Sequence, residues 1–101
     1  MKKLTKETAK QVKYPDIVVF YNASSIGTLM YHPREMVWRV CIFYDFYFAP
    51  EITGREFEGL DEGVLYLLDS GYSVEAYDDE VEAYKKIYEF SKETEKNTVV
   101  F

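Results

Sequence analysis

Residues 36–48, MVWRVCIFYDFYF, constrain the fold more than any other part of this chain. β-Branched and aromatic residues dominate the run and alternate between two sides, the pattern of a strand. Trp38, Val40, Ile42, Tyr44, Phe46 and Phe48 form one side, which is continuous core material. Val37, Arg39, Cys41, Phe43, Asp45 and Tyr47 form the other, where charge mixed with rings predicts half exposure. A straight strand of this length would span ~40 Å at ~3.3 Å per residue, so a bend or an overhanging end is expected.

The segments around it supply partners. Residues 16–22, DIVVFYN, read as a second strand, and residues 28–31 as a short third, joined to the long one by the turn His32-Pro33-Arg34-Glu35. Residues 50–55 read as a connector. From 56 to 70 the spacing becomes helical, with Phe57, Leu60, Val64, Leu67 and Leu68 in one arc and Ser70-Gly71 as the stop. Residues 72–77 alternate as a strand. Residues 79–95 predict the best helix, with Asp79 and Glu82 spaced as a capping box and Val81, Ala83, Tyr84, Ile87, Tyr88 and Phe90 on its apolar side. Residues 3–13, with Leu4, Thr8 and Val12 four apart, predict a short N-terminal helix that ends at Tyr14-Pro15. Val99-Val100-Phe101 is a candidate C-terminal strand.

The expected fold is therefore a single α+β domain over residues 1–101. It has a mostly antiparallel sheet of four to five strands in the order α-β-β-β-α-β-α, packed on one face by two main helices plus the short N-terminal one. A chain of 101 residues with 48% hydrophobic content can bury such a core. The single cysteine, Cys41, excludes an intramolecular disulfide and suits a reducing, cytoplasmic setting. The basic start MKKLTKETAK has no apolar segment behind it and does not read as a signal peptide. No apolar run approaches the ~20 residues of a membrane span.

Catalytic and ligand motifs are missing. His32, the single histidine, precedes a proline in a turn and reads as solvated. Cys41 lies mid-strand, where a thiolate is not favoured. Ser24 and Ser25 lack a nucleophile frame. The glycines form no phosphate loop; Gly59 and Gly63, four apart, either admit a close neighbour or mark a helix start. Asp78-Asp79-Glu80 lacks the spacing of a calcium loop. The pattern predicts no enzyme, no metal and no cofactor. Aromatics on residues 36–48 invite comparison with RNA-stacking sheets, but the chain is acidic and direct nucleic-acid binding is disfavoured.

Charge is the remaining signal. The net charge is −6, yet residues 51–82 hold eleven acidic side chains and one basic one, Arg55. Asp78, Asp79, Glu80 and Glu82 suit a helix N-terminus with no partner at all. Glu58, Asp61, Glu62 and Asp69 lie on one arc of the 56–70 helix with no lysine nearby in sequence, beside Leu65 and Tyr66. Carboxylates interspersed with apolar anchors would imitate a nucleic-acid backbone, with Leu65, Tyr66, Tyr72 and Tyr77 supplying buried contact.

The expected function is that of a small acidic inhibitor. It would occupy the groove of a basic nucleic-acid-binding protein: a CRISPR effector, a restriction or repair nuclease, or a cognate toxic nuclease. In size and acidity the chain resembles phage anti-defence proteins and bacteriocin immunity proteins in general character, and no motif ties it to a family. Two alternatives stand beside this. One is an oligomer binding a nucleotide signal through the aromatic strand, Arg39 and Arg34. The other is an assembly subunit, a homodimer for instance, with a tyrosine-rich interface.

Overall fold

The computed structural model describes residues 1–13, 15–44 and 49–98. The protein is α+β: a six-stranded, wholly antiparallel sheet, two helices and a 3-10 turn. The strands are β1 (Lys2–Leu4), β2 (Ile17–Tyr21), β3 (Ile26–His32), β4 (Val37–Tyr44), β5 (Ala49–Phe57) and β6 (Ser73–Tyr77). The helices are α1 (Leu60–Asp69) and α2 (Glu80–Thr98), and Ala9–Gln11 form the 3-10 turn. Across the sheet the strands run β1-β6-β2-β3-β4-β5. The expected meander is the β2–β3–β4 core of this sheet, and β5 extends it.

The helix expected over 56–70 begins only at Leu60, because Phe57 pairs with Trp38 as the last residue of β5, and two further elements differ from the sequence expectation. The N-terminal segment is not an α-helix. Lys2–Leu4 pair with β6 as an edge strand, Leu4 opposite Val74, and the chain then closes the 3-10 turn. Leu4 and Val12 of the expected stripe are buried, but Thr8 is half-buried and its neighbour Ala9, outside the stripe, is buried instead. Lysines at such an edge discourage pairing with another chain. The second difference is β5, where a connector was expected. Pro50 and Gly54 mask a strand there, and Pro50 is tolerated because an edge strand leaves one side unpaired. The β4–β5 ladder shifts register between Arg39 and Cys41, a local irregularity of the kind that bends a strand. The expected positions of residues 45–48 and of the candidate strand at 99–101 lie outside the described residues.

The helices cover opposite faces of the sheet, whereas one shared face was expected. Val18, Phe20, Leu29, Trp38, Val40, Val74 and Ala76 point to the α1 side and pack with Leu60, Val64 and Leu67. Register places Val19, Ile26 and Tyr77 on the other side, where Ala83 and Ile87 of α2 meet them. The alternation on residues 36–48 thus feeds two cores: Trp38 and Val40 face α1, while Cys41 is buried on the α2 side and half-buried Phe43 packs beneath α2.

Local signals fit their positions. Gly59 precedes α1 in an extended conformation. Gly63 packs against the sheet, where an added Cβ would stand 3.0 Å from Leu29 Cδ1. Gly71 ends the helix at φ +91°, a region that favours glycine. Asp79 caps α2, its Oδ1 accepting the Val81 N–H at 2.9 Å.

Candidate functional site

The residues singled out from sequence separate into three groups. Glu58, Asp61 and Glu62 stand at the start of α1; Glu58 and Glu62 are exposed and Asp61 is half-buried. Leu65 and Tyr66 are half-buried and pack against the α1-side core, with the Tyr66 ring 5.3 Å from Phe57 and under the Arg55 guanidinium at 5.0 Å. They offer only part of their surface to a partner. Tyr72 is likewise half-buried, packed edge-on against Phe20 at 5.0 Å.

Asp69 and Tyr77 do not join that patch as unpaired groups. Asp69 lies at the far end of α1 and forms an ion pair with Lys6 at 2.9 Å. Its distance from lysine in sequence is not a distance in space. Tyr77 faces the opposite side of the sheet and is buried. Its hydroxyl donates to Glu75 Oε1 at 2.8 Å, and the Tyr21 hydroxyl donates to Glu75 Oε2 at 3.0 Å. Two phenols thereby satisfy a carboxylate that is only 5% exposed. Burial, followed by the hydrogen bond to Glu75, pushes the Tyr77 phenol well above its ordinary range.

Topology gathers acidic groups in a way that helix spacing alone does not. Ile17 pairs with Tyr77, Val18 with Leu29, Leu29 with Val40, and Trp38 with Phe57. The start of β2, the end of β5 and the end of β6 therefore share one end of the sheet. Asp16 precedes β2 there. Glu58, Asp61 and Glu62 follow β5 into α1, and Asp78, Asp79 and Glu80 follow β6 into α2. Both helices begin at this end, so their acidic first turns meet the favourable end of each helix dipole.

The same end carries a cleft of about 650 Å³ between α2 and the β2–β3–β4 surface. Ile17, Met30 and Phe43 of the sheet line it, opposite Ala83, Tyr84 and Ile87 of the helix. Its charged lining residues are Asp16 and Glu80; no lysine or arginine lines it among the described residues. Sequence reasoning missed this cleft because it assigned Val81, Tyr84 and Tyr88 to the buried side of α2. They are 61%, 58% and 51% exposed. Among the described residues the helix meets the sheet through Ala83, Ile87 and half-buried Phe90, and leaves Val81, Tyr84 and Tyr88 outside.

Other candidates have structural settings. Arg39 bridges Glu56, through Nε at 3.1 Å, and Glu35. That bridge raises its pKa, the Glu56 hydrogen bond being the main cause. An anionic ligand at Arg39 would have to displace both carboxylates. Cys41 is fully buried, and desolvation pushes its thiol up. His32 closes β3 opposite Val37 and is half-buried, not a solvated turn residue. Among the described residues no group of three or more His, Cys, Asp or Glu side chains could hold a metal ion, and no helix is long and apolar enough to cross a membrane. The chain matches no family model, no curated protein and no solved structure.

Proposed function

We propose that this protein is a small acidic binding protein, without chemistry of its own, that inhibits a basic nucleic-acid-binding protein by covering its nucleic-acid site. The observation that carries the reading is the convergence of carboxylates from three separate segments on one end of the sheet: Asp16, then Glu58 with Asp61 and Glu62, then Asp78 with Asp79 and Glu80. Each helix start is explained singly by its dipole. Their meeting on one end is a property of the topology, and it gathers an excess of acid from chain segments far apart in sequence, against which Lys2 beside Asp16 and Asp78, and Arg34 in the β3–β4 turn, are the basic groups described at that end. Such a surface speeds association with a basic groove, and partly exposed apolar groups such as Leu65 and Tyr66 slow release. A nuclease or another nucleic-acid-binding effector has the complementary charge.

The test is recovery of the partner from the native host, followed by competition. The expected partner is a basic protein that DNA or RNA displaces from the complex. Affinity should fall steeply between low and high salt, since exposed charges are screened. The triple variant Glu58→Lys, Asp61→Lys, Glu62→Lys should lose binding and inhibition while keeping its fold. Unchanged inhibition by that variant, or a complex indifferent to salt and to nucleic acid, would sink the proposal.

A further inference from the structure

We infer that the cleft between α2 and the β2–β3–β4 surface is a binding site for a small organic cation with an apolar body, such as an aryl-alkyl ammonium. The cleft's volume, about 650 Å³, is in the range of small-molecule sites. Its walls are apolar on both sides, from Met30 and Phe43 of the sheet to Ala83 and Tyr84 of the helix. Such walls take a hydrocarbon body out of water. The aromatic rings among the lining residues, Phe43 and Tyr84 included, favour a cation over an anion through their quadrupoles.

Charge decides the sign of the ligand. Asp16 and Glu80 are the charged groups of the lining, and no described basic residue accompanies them. An anionic ligand, a nucleotide included, would meet repulsion there, and the nearby Arg39, opposite Met30 in the sheet, is already held by Glu35 and Glu56. An ammonium group would meet two carboxylates at one end and leave its apolar body against Ile17 and Ile87. The site lies on the α2 side of the sheet, away from Glu58 and Glu62 on α1. It does not depend on the protein partner proposed above, and either idea can fail without the other.

The test uses three matched probes: 3-phenylpropylammonium, the neutral 3-phenylpropanol and the anionic 4-phenylbutyrate. Each is titrated into the full chain while backbone amide resonances are followed. The ammonium should shift the signals of Ile17, Met30, Phe43 and Tyr84 saturably, and bind at least about tenfold tighter than the alcohol. The anion should bind most weakly. The double variant Asp16→Asn, Glu80→Gln should lose the preference for the cation while its affinity for the alcohol stays unchanged. Asparagine retains an acceptor for the Lys13 N–H that Asp16 holds at 3.3 Å, and exposed Glu80→Gln alone serves as a control whose fold is not at risk. Equal binding of all three probes, no saturable shift, or a double variant that still prefers the cation overturns the proposal. Concentration-dependent shifts of the same residues without any probe also overturn it, because they would assign the cleft to a second copy of the chain.

Discussion

The two faces of the sheet are covered to different degrees, and the difference locates the accessible surface of the molecule. On the α1 side, thirteen of the described residues form one buried cluster, and Phe57, Leu65, Tyr66, Leu68 and Tyr72 close its margins. The 3-10 turn adds Ala9 beside the helix. Among the described residues the buried cluster on the α2 side has five members. There, among the described residues, α2 buries Ala83 and Ile87, packs Phe90 at the margin and holds Tyr84 and Tyr88 outside. The first face is closed by packing; the second retains a cleft and a buried polar group, Glu75. A face closed that tightly serves stability, whereas an incompletely covered one can serve binding without dismantling the core.

Substitutions on the two faces should therefore differ in cost. Phe20→Ala empties a fully buried site on the α1 side and should cost about 3–5 kcal/mol of stability in urea denaturation. A loss under about 1 kcal/mol would mean that this face is not the closed one. On the α2 side, Glu75→Gln removes the charged acceptor and puts an NH2 where one oxygen stood, so one of Tyr21 and Tyr77 would have to turn from donor to acceptor. The expected cost is about 1–3 kcal/mol, with native secondary structure retained by circular dichroism.

Tyr77→Phe sharpens the same comparison through pH. The folded state holds the Tyr77 proton more tightly than the unfolded chain, whose tyrosine titrates near about 10. The group's stabilising contribution is complete below that pH and is lost as pH rises through the higher folded value. Wild-type stability should fall from about pH 10 upward, and Tyr77→Phe should fall less steeply; parallel curves would refute the assignment. The smallest effect belongs to Tyr84→Ala. This wall residue is 58% exposed, so thermal unfolding should shift by no more than about 0.5 kcal/mol while cation binding weakens.

Much of the architecture was legible because the periodicities of 2 and 3.6 are local. Residues 36–48 announced β4, residues 16–22 announced β2, and Leu60, Val64 and Leu67 announced the inner side of α1, although Phe57, read into the same arc, ends β5. The failures have one cause each. Leu4, Thr8 and Val12 keep helical spacing, yet pairing with β6 outweighed a weak local preference. Pro50 and Gly54 hid β5, since a strand at a sheet edge tolerates residues that a central one would not. The apolar arc on α2 was wider than the strip that the sheet could cover, so half of it was read as core.

The candidate acidic site shows the same division. Asp61 and Glu62 stand on α1 as helix spacing placed them, but Glu58 lies in the bend before it, and Asp69 meets Lys6 and Tyr77 meets Glu75 through contacts between distant segments. By itself the sequence determined the α+β class, the principal apolar positions and the excess of acid in residues 51–82, because alternation, helical spacing and charge are properties of neighbouring residues. Which face each helix covers, which carboxylates share an end and where a cleft remains open were decided by the tertiary structure. Those depend on strand order and register, and both are set by how separate segments compete to bury the same sheet.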